Sequence, residues 1–141
     1  MKTIILFLIG SLTLISCGQG KKTQEKLPFS NDYLIGEFSS QKNGAGELKI
    51  AKQGENYVLM QKMENNKWTE GEKLTALEDG QLIEKFGNNW AGIVSAALTS
   101  GMCDYYRVQP GESLGGITMG EQPGTEYLSR CFSDSYLYKV K

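Results

Sequence analysis

Histidine is absent from all 141 residues. Its absence removes the usual general base near neutral pH, the middle member of the common acyl-transfer triad and the commonest metal ligand. Cysteine is scarce, with three residues and no C-x-x-C pair, so a zinc site has no framework to rest on. Charge of one sign is lacking too: 15 Lys and Arg stand against 16 Asp and Glu, mixed along the chain. No basic stripe of the kind that nucleic-acid binding requires emerges. Long apolar runs are limited to one near the start, about thirteen residues against the roughly 20 that cross a bilayer as a helix. No metal, no cofactor and no nucleic-acid partner is therefore expected.

The motifs that remain are weak. Gly111-Glu112-Ser113-Leu114-Gly115 matches G-x-S-x-G, but that elbow works only at a strand-to-helix turn with a histidine in reach. Here a turn or strand start suits Ser113 better. Ser39-Ser40-Gln41-Lys42 matches S-x-x-K without the S-D-N and K-T-G elements that accompany it in penicillin-binding enzymes, so it reads as a solvated loop. Gly115 to Gly124 is glycine-rich but lacks the G-K-[ST] ending of a phosphate loop. Carboxylates are plentiful, yet no spacing singles out an acid pair. Asp104 and Asp134, each close to a cysteine, are expected on surface loops. No catalytic residue is assigned and no enzyme is expected.

The apolar run carries the strongest signal. Lys2 supplies a positive start, Thr3 to Ile15 is nearly all apolar, and Leu14-Ile15-Ser16-Cys17 closes the segment. This is the layout of a secretory signal peptide with a cysteine at the cleavage site. The tetrapeptide resembles the lipobox of bacterial lipoproteins. The resemblance implies cleavage before Cys17, attachment of diacylglycerol to its sulfur and acylation of its new amino group. Two or more acyl chains anchor stably where one does not, at about 0.8 kcal/mol per buried CH₂. The partners implied are a membrane, reached through the lipid, and a protein of the cell envelope. Gly18, rather than the Asp that resembles an inner-membrane retention signal, points to the outer membrane, facing the periplasm.

With residues 1–16 as signal peptide, 125 residues remain, carrying 14 basic and 16 acidic side chains. Residues 17–31 read as the lipidated cysteine and a flexible polar tether, and residues 32–141 as one domain. Cys103 and Cys131 then lie in a compartment that permits oxidation, and a disulfide between them is expected. Two buried free thiols are the alternative.

Within the domain the apolar pattern has period two. Leu48 and Ile50 share a face opposite Glu47 and Lys49, and Tyr136, Tyr138 and Val140 alternate with Leu137, Lys139 and Lys141. Leu82 and Phe86 alternate with Ile83 and Lys85. Residues 33–38, 57–63, 73–77, 105–108 and 114–119 are further strand candidates. Asn43-Gly44, Gln53-Gly54, Asn65-Asn66, Asp79-Gly80, Pro110-Gly111 and Pro123-Gly124 supply tight turns. Short strands at this spacing predict an all-β fold, a small antiparallel meander closed as a barrel or stacked as a sandwich. The one exception is residues 89–101, where Trp90, Ile93, Val94, Ala97 and Leu98 sit at helical spacing between Asn89 and Gly101. They predict a single short helix, with a buried strand as the alternative because Ile93 and Val94 are β-branched.

Most aromatic residues should fill the interior. Trp68, between Lys67 and Thr69 after an Asn-Asn turn, is the candidate for an exposed binding anchor. The function expected is non-enzymatic binding, of the kind performed by envelope inhibitors, immunity proteins and assembly accessories. The alternative is a lipocalin-like carrier of a small hydrophobic ligand, although the Gly-x-Trp of lipocalins is missing, since Gly36 is followed by Glu37-Phe38.

Overall fold

The computed structural model describes residues 25–114, 117–118 and 124–140. Cys17 and the signal segment lie outside them. Ten strands run in chain order: β1 Gly36–Ser39, β2 Leu48–Gln53, β3 Asn56–Gln61, β4 Glu72–Ala76, β5 Val94–Thr99, β6 Asp104–Val108, β7 Ser113–Leu114, β8 Ile117–Thr118, β9 Tyr127–Arg130 and β10 Asp134–Lys139. Eight of them close into a barrel of order β1-β10-β9-β6-β5-β4-β3-β2, every neighbour antiparallel. The sheet is thus a meander closed on itself, a barrel and not a sandwich. β7 and β8 form a separate two-stranded ribbon inserted between β6 and β9.

Strand alternation builds the interior. Phe38, Ile50, Leu59, Leu74, Ala96, Leu98, Tyr105 and Leu137 all point inward, joined by Leu34 from a 3-10 turn at Asn31–Leu34. Cross-strand register brings Ile50 opposite Leu59 and Leu98 opposite Tyr105. The expected turns serve this meander, with Asn43, Asn66 and Gly54 at φ of 63°, 62° and 62°. A second core lies outside the barrel wall, where Val94, Ala97, Tyr106, Val108 and Leu128 face outward and are covered by Leu77, Leu82 and Leu114.

This outer layer explains where the helix sits. Residues 89–101 are not helical: Trp90–Gly92 is a short 3-10 turn and Val94–Thr99 is strand β5. A strand covered on both faces loses its alternation and becomes a continuous apolar run, which periodicity does not separate from a buried helix. The helix, α1, is Asp79–Phe86, where an alternating strand and an Asp79-Gly80 turn were expected. Its start is a reciprocal capping box, in which Gln81 Oε1 accepts from the Glu78 N–H at 3.0 Å and the Glu78 side chain caps the first turn. Gly87, at φ 78°, ends it by donating its N–H to Ile83 O at 2.7 Å. Leu82 and Phe86, four residues apart, share the face that packs on the barrel, with Phe86 edge-on to Tyr106 at 5.3 Å. Leu82→Ala should therefore destabilise the domain by about 2–3 kcal/mol. A urea midpoint equal to that of the parent would contradict this packing.

Residues 25–31 of the segment read as a tether are described. Residues 26–31 are docked as a strap along the start of β5 and the end of β6. Leu27 exchanges two hydrogen bonds with the buried Gln109 side chain, at 2.9 and 2.7 Å. Phe29 packs edge-on against Trp90 at 5.1 Å, and Lys26 pairs with Glu112 at 3.1 Å. Ser30 donates its N–H to Ser95 O, and Asn31 Oδ1 accepts from the Ala97 N–H, both at 2.8 Å. These last two bonds lie beside one of the two shortest seams of the barrel, since β4 and β5 share the pairs Thr75↔Thr99 and Ala76↔Leu98, as few as β1 and β10 share and against six between β2 and β3.

Candidate functional site

The two ends of the barrel differ. At one end the strap enters and the Asn31–Leu34 turn crosses the opening, burying Leu34 completely in the interior core. Asp32 ties this turn to β2 and β3, accepting from Tyr57 Oη at 2.6 Å and Lys52 Nζ at 3.1 Å. Burial, reinforced by Asp32, pushes the Tyr57 hydroxyl up to about 12. Just inside this closed end, Arg107 pairs with Glu126 and lies over the Tyr33 and Tyr127 rings at 4.9 and 5.8 Å, its buried Nε unpaired. Lys139 sits over the same Tyr127 ring at 5.5 Å and donates to Tyr33 O at 3.2 Å. Burial, aided by the Arg107 charge, lowers its pKa.

The opposite end is an open mouth, where β1, β3, β5 and β9 finish and β2, β4, β6 and β10 begin. A depression of about 320 Å³ lies there. Phe38, Leu48 and Leu137 form its floor, and Ser40, Glu47, Gln61, Lys62, Ser129 and Ser135 its polar wall. Ser40 donates to Glu47 Oε2 at 2.8 Å. Phe38 and Leu137 of this floor belong to the packed barrel core, and Leu48 packs against it.

Cys103 and Cys131 form a disulfide at this mouth, with S–S 2.02 Å and Cα–Cα 4.2 Å. It joins the β5–β6 loop to the β9–β10 loop. Next to each cysteine stands a large apolar side chain in water: Met102, 75% exposed, and Phe132, 98% exposed. Met63, in the β3–β4 loop of the same end, is 43% exposed. Large exposed apolar groups that share one end of a domain are informative where scattered ones are not.

Beneath this tip the charges are internally matched. Asp104, Arg130 and Asp134 stand opposite one another across β6, β9 and β10. Arg130 grips Asp134 with two bonds of 2.6 and 2.8 Å, while Asp104 Oδ2 accepts from Tyr106 Oη at 2.7 Å and Lys85 Nζ at 3.0 Å. Burial pulls the Asp104 pKa upward, but hydrogen bonds from Tyr106, Thr99 and Lys85 outweigh it and hold the carboxyl below its ordinary 3.8. The Arg130 hydrogen bonds lower Asp134 in the same way. A folded pKa below the unfolded one means that the stabilisation is fully present above about pH 4 and lost as pH falls through the folded value. The melting temperature should thus stay level from pH 7 to about pH 5 and fall below about pH 4, and Asp134→Asn should make that fall shallower. Circular dichroism melts across this range check it; an Asp134→Asn profile as steep as the parent's would contradict the linkage.

Trp68 lies in the β3–β4 loop, at the same end of the barrel as the mouth. Its backbone bridges to Lys62, and its half-buried ring lies beneath Lys49 and Lys62, whose ammonium groups are 5.7 and 5.8 Å from its centroid. Trp90 belongs to the outer core. Ser113 opens β7 and is followed by another strand, not by the helix that a nucleophile elbow requires. Among the described residues, no three His, Cys, Asp or Glu gather closely enough to hold a metal. Met102 drew no attention in the sequence, and Phe132, expected in the interior with most aromatics, stands in water instead; each adjoins a cysteine, a position that places a residue at the rim of any disulfide between loops. No family model matches the chain, and neither a curated protein nor a solved structure is detectably similar to it.

Proposed function

We propose that this chain is a lipid-anchored lipoprotein of the bacterial cell envelope, held at the outer membrane through Cys17 and facing the periplasm, which acts without catalysis by binding an envelope protein. The observation that carries the proposal is the polarity of the barrel: the N-terminal strap reaches the closed end, and the open mouth lies at the other. Cys17 lies nine positions before Lys26, a reach of at most about 30 Å. A lipid on Cys17 would therefore tether the closed end and leave the mouth facing outward. A carrier is supported less well, because Phe38, Ile50, Leu59, Leu74, Leu98, Tyr105 and Leu137 fill the interior that a ligand would need. The absence of histidine and the engagement of Asp104 and Asp134 with their own cations support action through a surface.

The anchor is tested by Cys17→Ser. This variant should lose palmitate labelling and either appear in the soluble fraction or persist as unprocessed precursor. Undiminished labelling, with fractionation like the parent, would overturn the proposal, and sedimentation of the parent with inner-membrane markers would overturn its placement.

A further inference from the structure

We infer that the disulfide-stapled tip bearing Met102 and Phe132 is a wedge that inserts into a concave apolar pocket on a folded envelope protein; this rests on the proposal that the mouth is the binding face. Phe132 has almost its whole surface in water, and Met102 stands three-quarters exposed on the facing loop. The Cys103–Cys131 bond fixes these loops to each other, so little loop ordering remains to be done on binding. Aromatic residues and methionine are enriched, and charge is depleted, at the centres of protein interfaces. The tip meets both conditions, since residues 101–103 and 131–133 carry no charge, and Arg130, Asp134, Asp104 and Lys85 beneath them are paired with one another.

Geometry selects the occupant. The chain enters the domain at the closed end, so the membrane that would hold Cys17 lies behind the barrel from the tip. A second copy fits poorly. A phenylalanine contributes roughly 150–250 Å² of contact surface, and two convex tips touching would fall well short of the about 800 Å² per partner that a specific interface buries. A convex apolar wedge on a rigid base is complementary to a cleft.

The test uses the full lipidated protein in its own envelope, with a photoreactive benzophenone analogue of phenylalanine at position 132. Irradiation should give one discrete adduct with a folded envelope protein, its cross-linked peptide lining an apolar cleft. The same analogue at Ile83, exposed on the side of α1, should not give it. With that protein purified, Phe132→Ser should weaken binding about 30-fold, the equivalent of about 2 kcal/mol. Phe132 touches no core residue, so the variant should melt like the parent. Adducts of lipid mass, adducts with a second copy of the chain, equal adducts from Ile83 or an unchanged affinity in Phe132→Ser would each overturn the inference. If lysine-directed cross-linking captures a partner at the mouth while position 132 does not, the wedge fails and the proposed function stands. If neither captures anything, both fail.

Discussion

Phe38→Ala should lower the stability of the oxidised domain by about 3–5 kcal/mol, and its melting temperature by some 12–20 °C. Phe38 is completely buried in β1 and packs its ring against Tyr127 at 5.2 Å. Register places it between Leu48 of β2 and Lys139 of β10, at the point where the meander closes. Removing the ring forfeits its transfer free energy and leaves a cavity between strands that have hydrogen-bonded neighbours on both sides and little freedom to collapse. The same ring floors the mouth depression, so the hole would open toward solvent and deepen the depression. Urea titration should show a lower midpoint with an unchanged slope, because the surface exposed on unfolding is nearly the same. A loss below about 1.5 kcal/mol would mean that the ring is not wedged as described.

Breaking the Cys103–Cys131 bond should cost about 3–4 kcal/mol, as expected when a loop with ends 28 residues apart is no longer closed in the unfolded chain. The comparison to make is the urea midpoint of the oxidised domain against the Cys103→Ala/Cys131→Ala double variant. The reduced loops keep Ser100 N–H bonded to Cys103 O at 2.9 Å and the β6–β9–β10 register, so the barrel should survive in the variant. An unchanged midpoint would show that the bond does not restrain the unfolded ensemble.

How much of this was legible before the structure depended on how many faces each segment buries. β2 buries one side, and its alternation at Leu48 and Ile50 stood out; β10 alternates too, but Leu137, which shares its face with Lys139, fills the barrel while Tyr136 packs on the outer core. β5 buries both sides, with Ala96 and Leu98 inside the barrel and Ala97 under α1, so Val94–Leu98 carried no period of two. α1 is only eight residues long, and its Leu82 and Phe86 satisfy a spacing of four and an even spacing alike. The strap escaped notice because its attachment is made by backbone groups and by Gln109, which hydropathy does not register. The tip is a product of closure: Met102 and Phe132 are neighbours only because β6 pairs with β9.

The strap's position has a mechanical consequence. Any pull applied upstream of Lys26 passes through Leu27 and Phe29 to Ser30 and Asn31, the two residues bonded to β5 beside its short seam with β4. Load would be shed in sequence, Leu27 from Gln109 and Phe29 from Trp90 before Ser30 from Ser95. Behind these bonds, two paired positions and the Leu77 N–H bond to Ala97 O hold this edge of β5 to the β4 segment. Under force the barrel should therefore open at that seam, while the half that carries the disulfide, on the far side of β5, stays shut.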